Sequence, residues 1–306
     1  MLPTAALVLV GVSALAFWMV NTIAHPPTQP YLVTPEGYAR ISPRGVKATE
    51  ESWLNSDGTK ARGWLLRGTE GSPAVVLLHG YGADRSWVFN LGVKINEATN
   101  FTVLCPDLRA HGERPAVSTT TFGAREAKDV TAALNFLRAL KTTQQRPLVG
   151  SRFGLYGVGL GAYAALLAAP DSQGGQITAL ALDSVPARAD GLLRDTLRQR
   201  IGLDNAATFQ LARAFSRLYF LGKYEDADAC VAARAAGNRK VLLLSGADAG
   251  DLRAATQDLA RCFTAAEAVE VKTDLPVTGL NASSATGEAG EAYDRLVIDF
   301  FQNSLR

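Results

Sequence analysis

The sequence predicts an α/β protein: a mostly parallel, doubly wound sheet with a small helical cap, carried behind one transmembrane helix. Three observations lead there. Short, wholly apolar runs such as 74–78 (AVVLL) have the character of strands buried on both faces of a parallel sheet. These runs alternate with stretches of helical periodicity, the order that builds strand–helix–strand units. The N-terminus carries an uncharged run over residues 2–23, and ~20 residues rising 1.5 Å each suffice to cross ~30 Å of hydrocarbon.

Within that run, 5–20 reads AALVLVGVSALAFWMV, and Trp18 stands near one end, where an amphipathic ring suits a membrane interface. The rival reading is a cleaved signal peptide. It lacks a basic leading region, and Thr22-Ile23-Ala24 is only a passable cleavage site ahead of His25-Pro26-Pro27. Residues 1–24 are therefore expected as a retained anchor. Arg40, Arg44 and Lys47 favour a cytoplasmic domain, whereas the signal-like start favours an exported one, so the side stays open. If the domain is exported, Cys230 and Cys262 could pair. With Cys105 they are the three cysteines of the chain, and no CxxC or Cys/His cluster supports a metal site.

Residues 25–45 (HPPTQPYLVTPEGYARISPRG) are rich in Pro and Gly without periodicity, and are expected as an extended linker. The folded domain is expected over 46–306. Two strands at 46–54 and 60–67 flank Asn55-Ser56-Asp57-Gly58, whose Asp-Gly is a hairpin signal. After the strand at 74–78 come a helix at 86–98 and a buried strand at 101–105. A helix at 123–141 follows, with Val130, Leu134, Leu137 and Leu140 on one face. A strand at 153–156, an Ala-rich helix from 160 and a strand at 177–182 come next. Residues 186–236 are mostly helical and predict the cap, and the pattern resumes as strand 240–244, helix 251–263, strand 268–272 and helix 289–303.

With 306 residues, 47% hydrophobic and 20% charged, the chain can bury one large core. A net charge of +2 is too small to imply nucleic acid or an acidic substrate, since phosphate binding needs clustered Lys and Arg, and no nucleic-acid partner is expected. The arginines of 188–217 are scattered and read as solvated helix faces. No cofactor is expected. The expected partners are the membrane and an unidentified small molecule or protein.

Four motifs then appear in order. His79-Gly80-Tyr81-Gly82 follows the first buried strand, and Cys105-Pro106-Asp107-Leu108-Arg109-Ala110-His111-Gly112 follows the second. Thr121-Phe122-Gly123 with Glu126 and Asp129-Val130 opens a helix, and Leu182-Asp183-Ser184 ends a later strand. Together they resemble the α/β-hydrolase superfamily, in particular its serine-peptidase-like branch, which includes members with one N-terminal membrane anchor. The resemblance runs from about 50 to 190 and more loosely onward.

That resemblance implies a nucleophilic serine at a strand-to-helix turn of the form G-x-S-x-G. Here the turn reads Gly157-Val158-Gly159-Leu160-Gly161, with glycine where the serine belongs. The implied general base lies in the loop before the last helix. That loop, 273–290, contains no histidine, and Leu280 is the rough equivalent. Only His25, His79 and His111 exist in the chain; the first lies in the linker and the other two are expected to be structural. For the acid the resemblance points to Asp248, with Ala249 as the alternative in register and Asp251 suited to a helix cap. The backbone N–H groups of Tyr81 and Leu160 are the implied oxyanion-hole donors, and they would survive loss of the side-chain chemistry.

The expected function is thus a membrane-anchored pseudo-hydrolase that binds or scaffolds. Two alternatives stand beside it. One is an active serine-type hydrolase with relocated groups, for example His111 as base. The other is a dinucleotide-binding protein, because Gly157-x-Gly159-x-x-Ala162 with Asp183 downstream fits a loose fingerprint.

Overall fold

Strands β3 (Ser72–Leu78) and β4 (Thr102–Pro106) are apolar and buried over 74–78 and 103–105 because helices cover both faces of the sheet they enter. The computed structural model describes residues 2–41, 47–170, 177–203, 205–281 and 287–306; Arg44 and residues 282–286 of the loop before the last helix lie outside that set. With β1 (Ala48–Leu54), β2 (Lys60–Leu66), β5 (Val149–Val158), β6 (Ile177–Asp183), β7 (Lys240–Gly246) and β8 (Val269–Leu275), these strands form one eight-stranded sheet in the order β1-β2-β4-β3-β5-β6-β7-β8. Only β2 runs against its neighbours; every pair from β4 to β8 is parallel.

Alternation along each strand divides the interior in two. Ala74, Val76, Leu78, Leu104, Phe153, Leu155, Leu180 and Leu182 face one core. It is covered by α4 (Ala124–Ala139), α5 (Leu160–Ala168), α9 (Asp251–Leu259) and the cap helices α6 (Ala189–Ile201), α7 (Ala206–Tyr219) and α8 (Ala229–Ala235). Val75, Leu77, Val103, Cys105, Tyr156, Ala179 and Leu242 face the other, covered by α3 (Ser86–Thr99) and α10 (Glu288–Leu305). On α4 the residues Val130, Leu134 and Leu137 are buried, while Leu140 is only partly so. Strand β5 is longer than its apolar segment suggests. Its first half (VGSR) carries no apolar pattern, yet it pairs with β3 from Val149 onward.

Within the expected linker, 25–45, the described residues 25–41 are not a free extended segment: Pro35–Ile41 is a short helix, α2, and both it and the stretch before it are bonded to the domain. Tyr31 Oη donates to Asp107 at 2.8 Å, the Leu32 N–H donates to Ser86 Oγ, and Tyr38 Oη donates to Asn90. The Arg85 guanidinium lies between the rings of Tyr31 and Trp64, at 4.8 and 4.5 Å from their centroids. Proline content marks absence of regular structure; it does not report side chains that dock.

The apolar helix α1 (Leu2–Ala24) is likewise only partly free. Thr4–Ala24 is long and apolar enough to cross a membrane, with mean hydropathy 2.0. Residues 4–15 are exposed, but Ala16, Met19, Val20, Ile23 and Ala24 are fully buried among the cap helices. Their spacing is one face of a helix. Cys230 and Cys262 form a disulfide with Cα atoms 5.1 Å apart, tying α8 to the turn that follows α9, and Cys105 is a buried free thiol.

Candidate functional site

At the carboxyl end of β5, in the middle of the sheet, the chain turns sharply into α5 through Gly157-Val158-Gly159-Leu160-Gly161. A Cβ on Gly157 would collide with the backbone of Gly161 and Ala162, and one on Gly161 with the carbonyls of Leu78 and His79. Strand and helix therefore approach through glycine. Gly159 has φ 52° and ψ −108°, a conformation glycine adopts without a Cβ clash and other residues adopt under strain. Its N–H donates to the Asp183 carbonyl and its own carbonyl accepts from the Tyr163 N–H, both at 2.9 Å. A Cβ built on Gly159 would have one described neighbour within 4 Å, Leu280 Cδ2 at 3.8 Å.

Asp248 sits in a short 3-10 turn, Ala247–Ala249, directly after β7. Its Oδ2 accepts from Thr278 Oγ1 and from Asn281 Nδ2, each at 2.8 Å, so the two residues that bracket Leu280 converge on this carboxylate. Ala249 is buried. Asp251 does not cap α9: Gly250 holds the N-cap position, and Asp251 is the first helical residue, largely exposed and 3.6 Å from Arg198. A carboxylate there suits the positive end of the helix dipole.

Tyr81 and Leu160 flank the same region, and neither backbone N–H has an acceptor among the described residues. The Tyr81 side chain turns to α1, where its hydroxyl donates to the Ile23 carbonyl at 2.7 Å. Close by, the Thr120 N–H donates to the Ala24 carbonyl. His79, Tyr81, Trp87, Gln199, Asp248 and Leu280 line a crevice of about 290 Å³. Among the described residues no His, Cys, Asp or Glu cluster could hold a metal ion.

Both domain histidines are consumed by backbone. His79 Nδ1 meets the Gly80 carbonyl at 2.8 Å and its Nε2 accepts from the Leu108 N–H at 3.0 Å. His111 Nδ1 meets the Arg109 carbonyl at 2.7 Å and its Nε2 accepts from the Gly82 N–H at 3.1 Å. An Nε2 that accepts fixes the proton on Nδ1. Burial holds His79 well below its ordinary pKa and brings His111 down to about 4, so both rings are neutral braces for the loops around the crevice. The other motif charges also brace those loops. Arg109 grips Asp129 with two nitrogens at 3.0 and 2.7 Å and reaches Asp57 at 3.0 Å. Buried Glu126 accepts from the hydroxyls of Thr120 and Thr121 and from the N–H groups of Thr121 and Gly123.

The sequence names Asp183 but not the partners that gather on it. Asp183, at the end of β6, is fully buried. Its Oδ1 accepts from Ser184 Oγ at 2.7 Å, and its Oδ2 accepts from the Gly279 N–H at 2.6 Å and the Tyr293 hydroxyl at 2.5 Å. Tyr293 in turn shares a 2.8 Å hydrogen bond with Tyr156. Burial, partly offset by these donors, raises the Asp183 carboxyl to about 6. Through Gly279 this carboxylate pins the loop that carries Leu280. Only the Leu182-Asp183-Ser184 motif hinted at it, because Tyr293 lies 110 residues away on α10. Fully buried beneath these donors, Asp183 presents no exposed oxygen to a ribose hydroxyl.

Known proteins share this architecture. The chain is 30% identical over 111 residues to the thiohydrolase aneE of Aspergillus aculeatus, and the match spans 36% of this chain and about a third (33%) of that relative. An esterase of Pyrococcus furiosus superposes with a TM-score of 0.67 at 20% identity, covering 92% of this chain and 98% of the other. A dienelactone hydrolase of Anabaena variabilis gives 0.56 at 17% identity, covering 85% of this chain and 99% of the other. An esterase of Mycobacterium marinum gives 0.61 at 13% identity, covering 88% and 86%. At such identities the structures speak for the fold alone. The family model described as "Alpha/beta hydrolase family" matches residues 75–296, most of the chain and every strand from β4 to β8, and the chain belongs to that family.

Proposed function

We propose that this protein is a membrane-anchored α/β-hydrolase-fold protein that has lost hydrolytic chemistry and uses its crevice to bind. The observation that carries the reading is the pairing of Gly159 with Leu280. In this family an acyl-transfer centre needs a side-chain nucleophile and a base within hydrogen-bond reach. Here the turn, relaxed by its glycine, presents no side chain, and the one described group beyond the chain neighbours within 4 Å of the position a Cβ would occupy is a leucine methyl at 3.8 Å.

Asp248 fits the remnant acid, with its carboxylate now bonded to Thr278 and Asn281 rather than to an imidazole. A relocated base is disfavoured, since both nitrogens of His79 and of His111 are taken by backbone. A relocated nucleophile at Ser184 is disfavoured too, because that hydroxyl is buried and donates to Asp183. The N–H groups of Tyr81 and Leu160 remain suited to a carbonyl or carboxylate oxygen. An acyl-bearing small molecule is therefore the ligand class we assign. The esterase and thiohydrolase names of similar proteins agree with that class.

Two features support a retained anchor and an exported domain. Cleavage after Ala24 would strip five fully buried side chains from the cap, whereas a signal peptide is removed without loss to the fold. The Cys230–Cys262 disulfide belongs to an oxidising compartment. It outweighs Arg40, Arg44 and Lys47, which lie some distance beyond the helix end, where charge steers orientation weakly.

The test is a fluorophosphonate probe together with a simple ester substrate, applied to the purified full-length protein. No labelled serine and no turnover above buffer is the expected result. Stoichiometric labelling of one serine with enzyme-like turnover would overturn the reading.

A further inference from the structure

We infer that the cap itself enters the lipid: the end of α7, around Leu218 and Leu221, is seated in the same bilayer leaflet as the carboxyl-terminal third of α1. The inference rests on the anchor reading above and goes beyond it. Its basis is a length mismatch. The stretch 2–15 of α1, of which residues 4–15 are exposed, rises only about 21 Å at 1.5 Å per residue, against about 30 Å of hydrocarbon.

From Ala16 onward, one face of α1 is committed to the cap through Ala16, Met19, Val20 and Ile23, all fully buried. A further contact, Tyr219 Oη donating to Asn21 Oδ1 at 3.0 Å, closes that interface, and Phe17 lies 5.8 Å from the Tyr219 ring. If α1 spans, its last two turns can reach hydrocarbon only by carrying this part of the cap with them.

The surface at that level is built for it. Phe17, at the margin of that interface, and Trp18, about 150° around α1 from its centre, are each 52% exposed. Leu218 and Leu221, which flank Tyr219 and Phe220, are 63% and 79% exposed. Isolated exposed leucines are ordinary; a group continuous with an apolar helix marks a membrane surface. Arg217 and Lys223, both exposed, stand beside the leucines where long cationic side chains reach headgroup phosphates. Because the Ile23 carbonyl holds the Tyr81 hydroxyl, this seating sets Tyr81 and the crevice it lines at headgroup depth. The ligand that reaches the crevice is then a membrane-borne amphiphile.

The experiment uses full-length protein in phosphatidylcholine/phosphatidylglycerol vesicles, with an environment-sensitive fluorophore on single introduced cysteines. Val10→Cys reports the free part of α1, Leu221→Cys the cap, and Leu54→Cys an exposed site on the edge strand β1. Each position is largely exposed, so labelling does not disturb packing. Nitroxide-bearing lipids should quench the probe at 221 as they quench the probe at 10, and leave the probe at 54 bright. Quenching at 10 with the probe at 221 as bright as that at 54 would overturn the inference and leave the anchor standing. A bright probe at 10 as well would overturn the anchor reading and the inference together. Leu218→Asp in the Leu221→Cys background should weaken quenching at 221 without changing that at 10; unchanged quenching at both would show that the leucine pair does not seat the cap.

Discussion

Replacing Gly159 by serine restores the missing hydroxyl, and the backbone geometry sets a stability loss for doing so. At φ 52° and ψ −108° a Cβ introduces strain of about 1–3 kcal/mol. Stiffening the unfolded chain offsets about 0.4–1 kcal/mol of that. Space is not the obstacle, because the new Cβ would meet Leu280 Cδ2 at an ordinary 3.8 Å. At the midpoints of those ranges the net loss is about 1.3 kcal/mol, or roughly 3–5 °C in Tm for a domain of this size. Urea unfolding followed by tryptophan fluorescence measures it, and an unchanged slope would confirm that the denatured state is unaffected. A matched control is Gly191→Ala in α6, where a Cβ has room beside Pro186 and should stabilise by about 0.5–1 kcal/mol. The serine variant should also stay unlabelled by fluorophosphonate, since Leu280 offers no base. If Gly159→Ser proved as stable as the parent, the turn would not be strained, and the account of glycine as a relaxed nucleophile position would fail.

The raised Asp183 carboxyl makes stability depend on pH. Its pKa lies near 6 in the fold against 3.8 in the unfolded chain, so the folded state holds the extra proton and stability falls as pH rises from about 4 to 6. Asp183 contributes about 3 kcal/mol of that loss; Asp107 and Asp129, raised by burial to about 6 and about 7, add to it. Asp183→Asn should therefore reduce the fall by about Asp183's share, and an unchanged slope in that variant would assign the dependence elsewhere. The Cys230–Cys262 bridge closes a sequence separation of 32, so replacing both by serine should cost about 3–4 kcal/mol; loss of less than about 1 kcal/mol on chemical unfolding would mean the bond does not constrain the cap. Ile23→Ala should destabilise the domain by about 2–4 kcal/mol because the side chain is fully buried, whereas a helix that merely tethers the domain would give no change in its urea midpoint. Arg109→Met removes the guanidinium shared by Asp129 and Asp57 and should cost up to about 3–5 kcal/mol at alkaline pH and less at pH 5, where the Asp129 carboxyl, raised by burial to about 7, is protonated; Asp129→Asn in the same chain should restore part of that loss.

Much of the fold was legible because it is written in local pattern. The apolar segments at 74–78 and 101–105, the helical face of Val130, Leu134 and Leu137, and the Asp-Gly of the first hairpin all appear where local chemistry placed them. The upstream half of β5 was not legible. Its residues are polar or small, and it is a strand only because β3 supplies hydrogen-bond partners. The docking of α2 and of the stretch before it was missed for a related reason: Tyr31 and Tyr38 find partners on loops and helices more than 50 residues away, and composition cannot encode such partners.

What the sequence alone determined is the chemical inventory: a glycine at the centre of the turn, no histidine in the last loop, and an apolar helix at the start. A side chain that is missing is missing in any conformation. Tertiary structure decided the geometry around those facts. It brought Leu280 against Gly159, aimed both histidines at backbone, joined Cys230 to Cys262, and folded the end of α1 into the cap. Each of these depends on distances between residues far apart in the chain, which are set by packing the whole sheet and its helices.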